Sequence, residues 1–263
     1  MARPGIGELL RSWRTRRRLS QLDLAVEAGV STRHLSFVET GKARPSREMV
    51  LLLAECLDVP LRDRNALLLA AGFAPAYRER RLDDPDMATV RTSLEHILAG
   101  QEPYPAVVVD RRWDAVLANL AAQMFLVDVD PALLSPAPNV FRLSLHPDGL
   151  GGRILNFQEY AGHVIGRLQR LVLLTGDEHL EALLEEVLGF PGVAEARHHV
   201  EAPSELVLPL RLRVGDEVLS LCSTIATFGT AVDITLAELS VESFLPADES
   251  TAAVLRARAA AVV

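Results

Sequence analysis

Gln21, Ser31, Thr32, Arg33 and Ser36 lie in the stretch SQLDLAVEAGVSTRHLSFVETGK (residues 20–42), which Lys42 closes, with Arg44 two residues on. They supply an amide, hydroxyls and cations, the groups proteins use to hold phosphates and to read base edges. Arg33 can offer parallel N–H groups to guanine O6 and N7, or clamp a phosphate. Ser31 and Thr32 can reach a phosphate or a thymine methyl group. Gln21 opens a helix, where an amide side chain and exposed backbone N–H groups can clamp a phosphate together. The preceding run RTRRR adds Arg14, Arg16, Arg17 and Arg18 as further cations for a phosphate backbone.

These groups can work together only if one helix holds another at a steep, fixed angle. That requires a small residue where the helices cross, a turn residue tolerant of positive φ, and apolar pins into the domain. Counting from Gln21, Ala25 is the small residue and Gly29 takes the turn. Leu24, Ala28, Val30, Leu35 and Val38 are the pins. With these seven turned inward, Ser31, Thr32, Arg33 and Ser36 face out from the first turns of the second helix, the part that approaches base edges in a major groove. His34 points away from that face. Two plainer readings stand alongside: a helical hairpin that never meets DNA, and an RTRRR run that is only a solvated helix end favoured by the helix dipole.

Charge separates along the chain. Residues 1–82 carry 15 Lys and Arg against 9 Asp and Glu, a balance of +6, while the remainder carries 12 against 26, a balance of −14. A basic head on an acidic body suits a chain of which only the head meets a polyanion. No apolar run approaches a membrane span, and the arginines near the start precede no apolar stretch of signal-peptide type, so a cytoplasmic protein without a membrane partner is expected. Cys56 and Cys222 form no paired spacing, consistent with a reducing compartment and with neither a disulfide nor a zinc site.

The pattern predicts two domains. The first is an all-α, five-helix bundle over residues 1–72, with Ser20, Ser31 and Ser46 as N-caps and Gly72 as the last helix stop. A proline-broken linker and connecting helix follow over 73–102. The second domain, 103–263, is α+β. AVVVD and WDAVLAN read as a hairpin, and Asn119 caps a helix after it. Helical patterns run from Ile154 to Leu174 and from Glu178 to Leu188, followed by three strands and a last helix. In the first of those strands Leu206, Leu208, Leu210, Leu212 and Val214 share a face. In the last, Ala237, Leu239, Val241 and Leu245 alternate with polar Glu238, Ser240 and Glu242. Two strands, helices, then three antiparallel strands is the element order of a PAS-like domain: a five-stranded antiparallel sheet with helices on one face around a small cavity.

At this point the chain resembles known proteins. LSQLDLAVEAGVSTRHLSFVETGKARPSREMV is similar to Xre/Cro-type helix-turn-helix proteins. NVFRLSLHPDGLGGRILNF, FGTAVDITLAEL and ESFLPAD extend the resemblance over nearly the whole chain, to bacterial regulators with an MmyB-like ligand-binding domain. The resemblance implies a cytoplasmic transcription regulator whose PAS-like domain takes small apolar ligands such as fatty acids, with no other cofactor. Pocket candidates are Phe125, Val140, Phe157, Leu221 and Phe228, with Arg142 or His146 placed to meet a carboxylate. Asn139, Arg142 and His146 either line a pocket or hold a loop. Binding to a palindromic double-stranded operator as a homodimer is expected, because one reading helix covers too few base pairs for selectivity. The alternative is a C-terminal domain that serves only dimerisation or protein interaction, without ligand.

An enzyme is not expected. Among seven histidines no His-x-x-x-His or His-Glu-x-x-His pair suits zinc, and adjacent His198 and His199 would diverge in a strand. DGLGG lacks the strand-to-helix setting and lysine of a phosphate loop, and no Gly-x-Ser-x-Gly elbow occurs. No catalytic or metal-binding residue is therefore assigned.

Overall fold

Serines start three of the first five helices. After α1 (Ile6–Arg16), the Ser20 hydroxyl accepts the Asp23 N–H at 3.1 Å while the Asp23 carboxylate accepts the Ser20 N–H at 2.9 Å. This reciprocal cap opens α2 (Gln21–Glu27). Ser31 accepts the His34 N–H at the head of α3 (Thr32–Glu39), and Ser46 the Met49 N–H at the head of α4 (Arg47–Cys56). α5 (Leu61–Ala70) ends at Gly72, with φ +88°. The computed structural model describes residues 4–196 and 207–261, so His198, His199 and Leu206 lie outside the described residues.

The chain divides into two units, the first made of Met1–Arg80 with Leu173–Thr175 and Thr230–Ala237. Its core joins Leu10 and Trp13 of α1, Leu24 and Ala25 of α2, Leu35 and Val38 of α3, Val50 and Leu53 of α4, and Leu67 and Leu68 of α5. Each fully buried leucine contributes about 1.5–3 kcal/mol. One close contact has no pattern in the sequence to announce it. A Cβ on Gly7 would stand 2.5 Å from the Glu39 carbonyl oxygen, so only glycine lets α1 approach the end of α3 this closely.

The second unit is built on one sheet. After α6 (Ala88–Gln101) come β1 (Ala106–Val109) and β2 (Ala115–Ala118), then a 3-10 segment, Leu120–Leu126. α7 (Val140–Leu145), α8 (Phe157–Thr175), α9 (Glu178–Leu188) and α10 (Val193–Ala196) follow, then β3 (Leu210–Val214), β4 (Glu217–Thr227), α11 (Ile234–Glu238, which through Ala237 belongs to the first unit), β5 (Ser240–Pro246) and α12 (Glu249–Ala260). The strands are all antiparallel in the order β2-β1-β5-β4-β3. Val107, Leu212, Leu219 and Phe244 join Ala161, Ile165 and Leu168 of α8 in the main core.

Four expectations need correction. The 120–126 segment, capped by Asn119 as expected, is 3-10 rather than α. Helices do not cover one sheet face alone: Leu94 and Leu98 of α6 pack with Ala106, Val108 and Val241 on the other. The unbroken apolar run AVVV of β1 is what a strand buried on both faces requires. For the same reason Glu242, expected on a polar face, is 3 % exposed: β5 is the central strand. Ala237 falls in α11, so the last strand starts later than its alternation suggested.

Candidate nucleic-acid interface and apolar cavity

The turn between α2 and α3 closes as the sequence requires. Gly29 has φ +64°, and the Val30 N–H reaches back to the Ala25 carbonyl at 2.9 Å. This is a left-handed helix stop at a position where a side chain would be strained. Leu24, Ala25, Ala28, Leu35 and Val38 are buried behind it, and Val30 is half-buried. On the outer side of α3, Ser31 and Arg33 are exposed, and Thr32 and Ser36 are partly so. The Arg33 guanidinium lies 5.3 Å from the ring centroid of Phe37, one turn on. Phe37 is itself exposed and escaped the sequence reading, although its i+4 spacing from Arg33 was the available signal. Lys42 and Arg44 are exposed in the following loop, where the Lys42 and Ala43 N–H groups both donate to the Phe37 carbonyl and fix its path.

Beneath this surface, Glu39 is a buried hub that the sequence did not reveal. Arg14 donates to its two carboxylate oxygens at 2.6 and 2.9 Å, and Gln21 donates its amide at 2.8 Å. Burial alone would raise the Glu39 pKa, but the Arg14 and Gln21 hydrogen bonds outweigh it and hold the group below its ordinary value. Gln21 is thereby oriented at the start of α2, with one amide N–H still available. Arg14 is different. Its remaining nitrogen donates to the Leu19 carbonyl, so its guanidinium serves the bundle rather than presenting itself to a phosphate. Arg17 likewise donates to the Leu57 and Asp58 carbonyls at 2.8 and 2.6 Å, satisfying the end of α4. Both arginines were expected at a DNA backbone; in the free chain their guanidiniums already have protein partners.

The second unit holds a partly open apolar cavity of about 100 Å³ on the α8 side of the sheet. Val107 of β1, Ala115 and Ala118 of β2, Phe125, Val140 and Phe244 contribute to its wall. The two alanines pair with Val109 and Val107, so small residues on an edge strand leave the space that larger ones would fill. Arg153 donates to the Phe125 carbonyl at 3.1 Å and fixes that part of the wall. The polar side chains lining the cavity are Gln123, Ser144 and Tyr160, and the Ser144 and Tyr160 hydroxyls share a hydrogen bond.

Of the expected pocket residues, Phe125 and Val140 line this cavity. Leu221 is fully buried in the sheet core without reaching it, and Phe157 packs beside Gly192. Phe228 packs with the α6 cluster on the opposite sheet face. Arg142 makes a two-pronged pair with Glu186 at 2.5 and 2.7 Å. His146 ends α7, stacks edge-on against Phe190 at 4.8 Å and accepts the Asp148 N–H. Asn139 caps α7 and donates to the Arg112 carbonyl and the Asp114 carboxylate. These three polar residues hold loops and helix ends, because each already has a partner outside the cavity. Among the described residues, no cluster of three or more His, Cys, Asp or Glu is placed to hold a metal, and no helix is long and apolar enough to cross a membrane.

Known proteins share both halves. Residues 10–63 match a helix-turn-helix family, and residues 90–257 match the MmyB-like transcription regulator ligand binding domain. Uncharacterised HTH-type transcriptional regulators of Mycobacterium tuberculosis and Mycobacterium bovis are 31% identical over 158 residues. That alignment spans 55% of this chain and 55% of each relative, so the chain covers about half the length of the curated relatives it matches. With a helix-turn-helix whose turn and pins are formed as its sequence demands, followed by the matching α+β domain, the chain belongs to the MmyB-like transcription regulator family.

Proposed function

We propose that this chain is a sequence-specific DNA-binding transcription regulator, acting as a dimer, whose C-terminal domain controls binding by holding a small apolar molecule. The observation that carries the DNA reading is the row Ser31, Thr32, Arg33 and Ser36, turned outward on a helix whose back is buried by Leu35 and Val38. Gln21, Lys42 and Arg44 flank that row and suit phosphate contacts, which position a protein on the duplex without reading sequence. An eight-residue α3 reads only a few base pairs, so two copies on a two-fold operator supply the selectivity. The cavity supports the sensor reading. At about 100 Å³ it suits a short chain or single small ring, and a long fatty-acid chain would extend beyond it.

Selection from a random duplex pool with the full chain tests this reading. An enriched site with two inverted half-sites about one helical turn apart is the expected result. Recovery of unselected sequence would overturn it. The alternative, an interaction module without ligand, gains support from a larger open groove of about 1040 Å³, lined by residues of α6, β2, α12 and the 3-10 segment, with Leu120 and, just after that segment, Val127 exposed. Native mass spectrometry separates the two: a dimer carrying no bound molecule, with DNA affinity unchanged after solvent extraction, favours the module.

A further inference from the structure

The apolar cavity has one polar wall, and the groups behind it specify what a ligand must carry. Tyr160 and Ser144 bring their hydroxyls to the cavity. Glu242 stands opposite Val107 in the strand register and two residues from Phe244, and both of those line the cavity. Its side chain therefore leaves the sheet on the cavity face. Glu242 is 3 % exposed, and Arg167 of α8 donates to one of its carboxylate oxygens at 2.8 Å. The other oxygen, Oε2, has no hydrogen-bond donor, and Arg167 Nη2 has no acceptor. Arg167 is held 3.9 Å over the ring of Trp113, whose own backbone sits at φ +65°, a costly conformation for a bulky residue. Burial and the nearby Glu242 carboxylate also raise the Tyr160 pKa, so its hydroxyl stays protonated.

One buried atom thus lacks a donor, one lacks an acceptor, and a hydroxyl pair adjoins them. The hydroxyl pair lines the cavity, and the buried Glu242 carboxylate behind it sets a negative charge against any anionic head group, so the wall suits a neutral group that both donates and accepts. A carboxylate brings acceptors only, a hydrocarbon neither, and an ammonium donors only. A hydroxyl or a primary amide brings both. We propose that the cavity selects a compact neutral molecule, an alcohol or primary amide of about four to six non-hydrogen atoms, whose polar group is read by Tyr160 and Ser144 beside the Arg167–Glu242 pair. This rests on the reading of the cavity as the ligand site. It departs from the anionic head group that Arg142 and His146 had suggested.

Titration of the full chain with n-butanol, butanamide and sodium butyrate at pH 7, followed by amide chemical shifts, tests the proposal. Butanol and butanamide should bind at least about tenfold more tightly than butyrate, shifting residues of the cavity wall. Tyr160→Phe should erase that preference, and Ser144→Ala should reduce it where Tyr160→Phe fails to fold. Butyrate binding as tightly as butanol in the cavity, or a preference unchanged in the folded variants, would overturn the ligand class and leave the cavity as a site. Cavity residues unmoved by all three probes would overturn the site itself.

Discussion

On the proposed function, the two regions keep their working groups in opposite places. The helical head displays Ser31, Arg33, Lys42 and Arg44 on its surface, with an apolar core and the Arg14–Glu39 pair behind them. The C-terminal unit turns Tyr160, Ser144 and Phe125 inward, around a space in its own core. The contrast teaches that recognition and stability are separable in the head and inseparable in the body. A side chain that reads DNA can be removed without touching the core, whereas one that lines the cavity is also part of the packing.

Substitutions from the largest expected effect to the smallest can break that contrast. Phe125→Ala, which removes a buried ring stacked edge-on at 4.9 Å against Phe244, should lower stability by about 3–5 kcal/mol in denaturant unfolding and impair ligand binding together. Loss of binding without loss of stability would contradict the inseparability. Glu39→Ala leaves the Arg14 guanidinium without its carboxylate in a site where that side chain is 12% exposed, at a cost of about 3–5 kcal/mol to the head. Acidification should act in the same direction. Because the folded pKa of Glu39 lies below its unfolded value of about 4.5, the pair's contribution is present above that pH and is lost as pH falls through the folded value. Unfolding midpoints measured between pH 7 and pH 3 should therefore fall less for Glu39→Gln than for the wild type. Gly29→Ala forces a side chain into φ +64° and should cost about 1–2 kcal/mol, seen as a lower melting temperature of the head. Arg142→Ala breaks a pair on a partly exposed surface. It should cost under about 1 kcal/mol and leave ligand affinity unchanged, whereas a lost affinity would return Arg142 to the ligand site.

Legibility in the sequence followed the same divide. The serine caps, the Ala25–Gly29 spacing and the apolar pins act within a few residues of one another, so local chemistry exposed the head. The hidden part of the head is long-range: Glu39 meets Arg14 across 25 residues, and the Gly7 contact joins two helices. Of the body's strands, β3 and β5 were legible from their alternation, and β1 and β2 from two short β-rich runs joined by a turn. Its cavity was only half legible, because β1, β2, the 3-10 segment, α7, α8 and β5 each contribute one or a few residues to it. Phe125 and Val140 were found, while Ser144 and Tyr160 carried no signal of their own. Arg142 and His146 drew attention through their polarity, but Glu186 and Phe190, more than 40 residues away, had already engaged them.

The measurement that bears most directly on the central claim is the affinity of wild type and Arg33→Ala for the selected operator, for operators changed at single base pairs, and for random DNA, at fixed salt. Arg33 is exposed and its removal leaves the buried core intact, so the variant should fold with stability within about 0.5 kcal/mol of wild type. It should lose about 1–3 kcal/mol of discrimination at one base pair per half-site while keeping its affinity for random sequence. An equal loss of affinity on operator and random DNA would contradict the assignment of α3 as the reading helix.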